Sequence, residues 1–563
     1  MNSTVTIPEG ANTRWRERFV QLLSRCMDSR VAAYSLFALV YALPAVILAR
    51  KKLIWNDEFF TLYLSGIRSW SELLSALRTG ADQHPPTFYY LTHLIFTVAG
   101  TTHVTLRLTA LIGFAVSCVC LYEILAHLMG RRWGVVALLM PLVAPVFSYA
   151  IEARGYGLEL GFATFSLLMW MFAVEGRKRR LTLPGLAIGL FCAVASHYYA
   201  VLVVVALATG ELVRTARRAR VDFGVWCAFL CAFIPLLLFA DIIQDARADS
   251  AYFWTPPASW LGALSWYGEM GGRLPLLILA AVGVATIVKL PRRKPISVTD
   301  NFVPIATSIV SMSLIPAIGV VLARLITHAY TPRYFIAAFP GICIMLLWAL
   351  ERILRNGTFG PPLIAIFCIG LCGLQYRELY AGESGVVEQM RSVVRVLRSQ
   401  PDQPIVLSEL DPFQQVSFYA HRDLVQKLVY LADPHLSVTY LGQDTKDRGV
   451  LRLNAWFPLN VVWWHDWWST RSSSLVYGYL GNWSWTTFAL RDIGTATLLD
   501  RPDVAHIVLS VTRTKIPPDD RLPSDPSGNP TLYERIPRSG PPLCVVYMPT
   551  EKCPSIDEGG FQH

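Results

Sequence analysis

Charged side chains are scarce. Only 16% of the 563 residues are Asp, Glu, Lys or Arg, against roughly 25% in soluble domains. That shortage, with 53% hydrophobic residues, excludes an ordinary water-soluble globular protein. Metal-binding spacings are also missing: there is no CxxC and no HxxxH. Cys118, Cys120, Cys192, Cys227, Cys231, Cys343, Cys368 and Cys372 lie inside apolar blocks and read as small hydrophobes. Only Cys544 and Cys553 stand in a polar tail, where a disulfide would form if that tail is exported. No internal repeat or low-complexity tract stands out. No small-residue cleavage site follows the first apolar block, so that block reads as a retained span rather than a signal peptide.

What is present is a series of apolar blocks of roughly 16 to 24 residues, the length a bilayer asks of a helix. The formal charge of +10 resides in the joints between them, as "GRR" at 130–132, "GRKRR" at 176–180, "RTARRAR" at 214–220 and "KLPRRK" at 289–294. Such a distribution describes topology rather than a nucleic-acid surface. An N-terminal segment rich in Arg stays in the cytoplasm, and alternation then gives eleven spans: 33–49, 105–128, 134–150, 156–174, 181–195, 201–212, 223–240, 274–288, 303–325, 334–350 and 362–374. The odd number leaves the C-terminus outside. The expected fold is a polytopic α-helical membrane protein, with helices lying along the surface in a first outer loop at 51–103. Residues 1–380 form the membrane domain and 381–563 a small exported α/β domain. Within the latter, "VVEQMRSVVRVL" has helical spacing, while "PIVLS" and "AHIVLSV" read as buried strands. The tryptophan-rich run at 456–469 is readable as core, as a carbohydrate platform or as an interfacial belt.

This alternation brings five unusual stretches to one face: "NDEFF" at 56–60, "DQHPPTFYY" at 82–90, "YAIEARGYG" at 149–157, "SHYYA" at 196–200 and "THAYTPRYF" at 327–335. A transporter places its polar groups nearer the bilayer midplane, so a reaction site at the surface is favoured. Adjacent carboxylates on a helix or strand cannot project the same way. Asp57 is therefore read as a general base for an attacking hydroxyl, and Glu58 as a group orienting a neighbour or a metal. A solvated charge pair at a helix start is the plain alternative. The Pro-Pro step after His84 fixes a rigid turn. His84, His197, Glu152 and the acidic pair form a candidate acid-base or metal cluster. Arg154 and Arg333 suit a lipid phosphate, because a guanidinium donates paired hydrogen bonds. Tyr156, Tyr198, Tyr199 and Tyr334 accompany them as candidate contacts to an anionic headgroup.

The order W-x-D-E-x-x-T (Trp55, Asp57, Glu58, Thr61), HPP-x-x-YY (His84 to Tyr90), EAR-x-Y (Glu152 to Tyr156), HYY (His197 to Tyr199) and PRY (Pro332 to Tyr334) resembles the polytopic glycosyltransferases of the GT-C superfamily. It is most similar to the branch of bacterial protein O-mannosyltransferases and lipid A aminoarabinose transferases. The resemblance spans roughly residues 33 to 375. It implies a polyprenyl-phosphate sugar donor, transfer with inversion at the outer face of the cytoplasmic membrane, and a lipid, glycan or protein acceptor. Asp57 matches the family's catalytic acid and Glu58 its acidic companion. Some members use a divalent metal and others do not; Glu58, His84 and His197 are the candidates here. The rival from another class is a transporter or lipid flippase using acids as a proton relay, with Glu123 and Glu159 as its intramembrane carboxylates.

Overall fold

The structure is a computed structural model. It describes residues 27–519 apart from 249–251, 256, 288–300, 355–359, 458 and 481–483. The Cys544/Cys553 pair and the basic run at 289–294 lie outside the described residues. The chain is a polytopic helical membrane protein carrying a C-terminal α/β domain. Seven helices are long and apolar enough to cross a bilayer: Arg30–Lys51, His103–Met129, Tyr156–Val174, Arg179–Ser196, Tyr198–Arg218, Pro332–Ile353 and Gly360–Arg398. Three further segments of that character are bent pairs, Arg131–Val143 with Pro145–Ile151, Phe223–Leu238 with Ala240–Arg247, and Phe302–Ser313 with Ile315–Thr327. The one remaining expected span, 274–288, corresponds to a shorter apolar helix, Leu274–Gly283. Pro145 and Pro316 sit in the first turn after two of the bends, where a missing N–H costs no hydrogen bond.

Close approach of helix backbones holds the centre of the bundle. A Cβ on Gly161 would meet the carbonyl oxygen of Gly113 at 2.3 Å, and one on Gly157 that of Ala110 at 2.6 Å. Glycine alone lets His103–Met129 and Tyr156–Val174 pack this tightly, the small-residue contact that replaces a hydrophobic driving force in lipid. The basic joints meet at one end of the bundle. Arg132 pairs with Asp28, Arg30 with Glu123, Arg179 and Arg214 with Asp222, and His127 with Glu175. Each of these contacts ties together joints that the alternation assigns to one side.

At the other end, the 51–103 segment folds into Asn56–Ser65, Trp70–Arg78 and Thr87–Ala99. The last has 13 residues, too few to cross a bilayer. Glu72 follows the Ser69 cap by three residues, and its backbone N–H is held by the Ser69 hydroxyl.

The final span does not stop at the membrane. Gly360–Arg398 is one helix of 39 residues, about 58 Å at 1.5 Å per residue, so the sequence boundary at 380/381 falls within a continuous helix. Its distal part delivers a six-stranded sheet: β1 Ile405–Leu407, β2 Leu428–Ala432, β3 Val461–Trp463, β4 Ser473–Tyr479, β5 Gly494–Asp500 and β6 His506–Arg513. The order is β3-β2-β1-β4-β6-β5, parallel from β3 to β4 and antiparallel through β6 and β5.

Alternation along the strands gives the sheet two apolar faces. Val406, Val429, Leu431 and Val476 pack with Trp464, Trp468 and Trp485, which makes the tryptophan-rich run core. Ile405, Leu407, Leu428, Tyr430 and Leu475 pack with Val387, Met390 and Val394 of the long helix, and with Leu53, Ile54, Phe59 and Leu62 of the first outer loop. One side of the sheet is thus built directly onto the loop that carries Asp57.

Asp447 lies in the helix Thr445–Asn454, fully buried. It accepts hydrogen bonds from Tyr430 Oη at 2.6 Å, Trp485 Nε1 at 2.5 Å and Asp433 N at 3.1 Å. No cation faces it in this set of contacts, so burial outweighs the hydrogen bonds and pushes the carboxyl up to about 7. A carboxyl raised above its unfolded value binds a proton in the native state that the unfolded chain has already lost. Its contribution to stability therefore falls as pH rises from about 4 to about 7, then levels off. Unfolding followed by tryptophan fluorescence should show this decline in the wild type and a flatter profile in Asp447→Asn.

Candidate active site

The five motif stretches meet around one cavity of about 580 Å³, closed on its far side by the α/β domain. Asp57 stands in the first turn of Asn56–Ser65, where a carboxylate is favoured by the helix dipole. Its Oδ2 lies 3.0 Å from Nη1 of Arg333. Both side chains are less than one-fifth exposed, and both face the cavity. The α/β domain holds the backbone on either side of Trp55: Ile54 N donates to Tyr419 Oη at 2.9 Å, Gln415 Nε2 donates to the Ile54 carbonyl at 3.0 Å, and Asn56 N donates to Asp411 Oδ1 at 3.1 Å.

Glu58, one residue on, turns away from the cavity. Its carboxylate meets Arg107 side by side, with Nε at 2.8 Å and Nη2 at 2.5 Å, and neither side chain is exposed. Burial would raise this carboxyl, but Arg107 and then Lys52 overcome it and hold it at about 2. Glu58 Oε1 also accepts the Ala153 N–H at 2.7 Å. Arg107 spends its remaining donors on the carbonyls of Ala49, Lys52 and Leu53. Of the two parts read for Glu58, orienting a neighbour or a metal, its contacts are with neighbouring protein groups, and its carboxylate does not face the cavity. It fastens the loop bearing Arg154 to the helix bearing Asp57.

That loop is also pressed against the next motif. A Cβ on Gly155 would meet the Ser196 carbonyl oxygen at 2.4 Å, so Gly155 permits the contact that brings Arg154 beside His197. Arg154 forms a two-pronged pair with Asp82, at 2.5 and 3.2 Å, and donates to the Asp57 carbonyl oxygen at 3.2 Å. Its Nε and that of Arg333 are buried without partners. The Arg333 guanidinium also lies over the rings of Trp254, at 5.5 Å, and Tyr156, at 5.7 Å.

Histidines and tyrosines make the floor. The His197 ring centre is 5.3 Å from His84, 5.1 Å from Tyr334 and 5.4 Å from Tyr156. Burial, followed by the charges of Arg333 and Arg154, lowers His197 to about 3. Burial, then Arg154, lowers His84 well below the usual histidine range. Both effects favour the neutral form of the rings. Tyr199 Oη is held by Thr327 and the Ala329 carbonyl, whereas the hydroxyls of Tyr156 and Tyr198 are buried without partners. Glu152 is buried beside the cavity with Oε1 unpartnered, and burial raises it despite Lys52 and Arg333.

Among the described residues, no group of three or more His, Cys, Asp or Glu side chains could hold a metal ion. Glu58 is taken by Arg107, and His84 and His197 face each other beside two guanidinium groups. This donor set does not fit a divalent cation.

The motif reading therefore brings together Asp57, His84, Arg154, His197, Tyr198, Tyr199, Arg333 and Tyr334 as cavity lining, with Tyr156 and Glu152 just behind. It missed Asp82 and Arg107. Asp82 opens a quoted motif, and Arg107 is an arginine within an apolar span, a signal that could have been used. It also missed the wall supplied by the α/β domain, where Glu409, Asp411, Lys446 and Arg448 line the cavity; no local motif marks them. Lys446 reaches Asp411 at 3.2 Å, and Arg448 pairs with Asp444.

Residues 83–243 match the sequence model of the family described as dolichyl-phosphate-mannose-protein mannosyltransferase. That stretch, well under half of the chain, includes His84, Arg154 and His197 but neither Asp57 nor Arg333. The match agrees with the motif resemblance to GT-C glycosyltransferases. No curated protein matches the sequence. Among solved structures, ArnT from Cupriavidus metallidurans bound to undecaprenyl phosphate aligns with a TM-score of 0.46 at 13% identity, over 87% of this chain and 100% of that one. The oligosaccharyltransferase of Archaeoglobus fulgidus in complex with Zn and sulfate aligns with a TM-score of 0.39 at 11% identity, over 83% and 72%. The archaeal oligosaccharyltransferase AglB from the same organism, with an inhibitory peptide and a dolichol-phosphate, gives 0.40 and 11% over 86% and 75%.

Removing one partner of a buried ion pair leaves an uncompensated charge and costs about 3–5 kcal/mol. Arg107→Leu should lower the unfolding midpoint of the purified protein accordingly, and Glu58→Leu/Arg107→Leu together should recover part of the loss. A single variant as stable as the wild type would remove this pair from its positioning role.

Proposed function

We propose that this protein is a membrane glycosyltransferase that moves a sugar from a polyprenyl-phosphate donor to an acceptor hydroxyl, with inversion, at the outer face of the cytoplasmic membrane. The observation that carries the reading is one cavity in which a carboxylate, Asp57, stands beside two guanidinium groups, Arg154 and Arg333. The family match over residues 83–243 supports the donor class.

In this mechanism Asp57 accepts the proton of the acceptor hydroxyl as that oxygen bonds to the anomeric carbon. The bond from the anomeric carbon to the phosphate oxygen breaks, and its electron pair leaves with the phosphate. Positive charge placed in advance where the phosphate departs stabilises the transition state without reorganisation. Arg333 and Arg154, the latter fixed by Asp82, supply that charge. The apparent conflict in pairing Asp57 with Arg333 resolves on binding: the donor phosphate takes the guanidinium and frees the carboxylate for the acceptor. Neutral His84 and His197 leave the phosphate to the arginines. No step needs a metal.

In this reading the arginine-bearing joints and the N-terminus face the cytoplasm and the α/β domain lies outside, an orientation that the positive-inside pattern supports. The acceptor, a lipid, a glycan or a protein, would enter between Asp57 and the wall formed by Glu409, Asp411 and Lys446. The transporter alternative loses one of its carboxylates, because Glu123 is tied to Arg30 at 2.9 Å and to Tyr34 at 2.7 Å, far from the cavity.

Asp57→Asn should slow discharge of the preferred polyprenyl-phosphate sugar by at least ~100-fold, as loss of a general base predicts, with folding unchanged. Arg333→Gln should weaken both donor binding and turnover. A fully active Asp57→Asn enzyme, or a wild type that discharges no donor from a broad panel, would refute the assignment.

A further inference from the structure

Glu159 has no task in the reaction described above. It lies one turn into the spanning helix Tyr156–Val174, wholly buried, and neither carboxyl oxygen has a hydrogen-bond partner. A carboxyl group in such surroundings is costly and marks a functional position whose partner should be named.

The partner is His197. Its Nδ1 lies 3.4 Å from Glu159 Oε2 and has no other partner. A few tenths of an ångström of ring movement would make this a good hydrogen bond. His197 lines the cavity, in the turn between the helices Arg179–Ser196 and Tyr198–Arg218. With Nδ1 turned to Glu159, Nε2 is the ring nitrogen left for the cavity. The bond made by one imidazole nitrogen sets the orientation and tautomer of the other.

On the reading of the cavity as a sugar-transfer site, we propose that Glu159 and His197 form a positioning dyad in which the carboxyl group holds Nδ1 so that Nε2 hydrogen-bonds one hydroxyl of the donor sugar. A hydroxyl both donates and accepts, so it satisfies Nε2 in either tautomer. A phosphate oxygen only accepts, and the guanidinium groups already serve it. The depressed basicity of His197 keeps the ring uncharged and suited to a neutral partner. Because the surrounding polar groups are buried, a sugar lacking that hydroxyl leaves Nε2 unsatisfied, and the site discriminates against it.

The test uses the full chain in lipid nanodiscs and a set of polyprenyl-phosphate sugars, each lacking one hydroxyl. Wild type should reject one analogue by at least ~100-fold in kcat/KM relative to the complete donor. His197→Phe should be slow with the complete donor and lose discrimination at that position alone. Glu159→Leu should lose most of it, while Glu159→Gln, whose amide can donate to Nδ1 or accept from Nδ1–H, should retain it. Equal discrimination by wild type and His197→Phe at every position would overturn the sugar contact.

The second readout is the 15N spectrum of histidine-labelled protein, with His197 assigned by its disappearance in His197→Phe. Wild type should show one fixed neutral tautomer, and Glu159→Leu an averaged signal. Identical signals would overturn the dyad. A wild type that discharges no donor at all would overturn the transferase reading and the sugar contact with it, and the nitrogen spectra would still decide whether the dyad exists.

Discussion

The buried pairing of Glu58 with Arg107 is the constraint on which the cavity depends. Two charges taken wholly out of water are costly, and the cost is offset only if every donor and acceptor finds a partner in good geometry. Here they do: the guanidinium serves one carboxylate and three backbone carbonyls, and the carboxylate also takes the Ala153 N–H. The consequence is positional. The chain from Ala49 to Glu58 is fixed by one arginine from a spanning helix, and Glu58 in turn fixes the stretch around Ala153. Asp57 and Arg154, each next to one of these anchors, inherit their separation from it.

Charge in the cavity is balanced locally rather than left as a broad field. Asp57 faces Arg333 and Asp82 faces Arg154, while the domain wall sets Asp411 against Lys446 and Asp444 against Arg448. Exchange of partners is the chemistry such an arrangement allows. An incoming anion competes for guanidinium groups and releases carboxylates, so donor binding and generation of a free base are linked through the same contacts.

Much of this was legible in the sequence, for identifiable reasons. Spans are dictated by bilayer thickness and by the basic joints, so the grouping of the five motifs follows from hydropathy and charge, whereas eleven spans were expected and the described residues hold seven spanning helices, or ten counting each bent pair as one. The strands at 405–407 and 506–513 were readable from short apolar runs. Bends were not: the chain turns by 76° at 144 and by 56° at 314, each followed within two residues by a proline, inside segments that hydropathy reads as single spans. Adjacent Asp57 and Glu58 were expected to have different tasks, but which faces the cavity depends on Arg107, 49 residues away. The domain wall was invisible because Glu409, Asp411 and Lys446 belong to no local pattern; a parallel sheet brings them together through contacts distant in sequence. The tryptophan-rich run was ambiguous for the same reason, since whether indoles form core or surface is decided by which side of the sheet covers them.

The uninterrupted helix from Gly360 to Arg398 means that the membrane and the sheet share one rigid axis. Each residue along a helix advances the chain by 1.5 Å and turns it by about 100°. The length of this helix therefore sets an angular phase as well as a height. A single inserted residue below the sheet would swing the domain wall round the axis, away from Trp55 and Asn56, while lifting it very little. The half of the cavity built by the domain is in this sense clocked to the membrane, and homologous chains with a longer or shorter connecting helix would preserve the cavity only when the difference approximates whole turns.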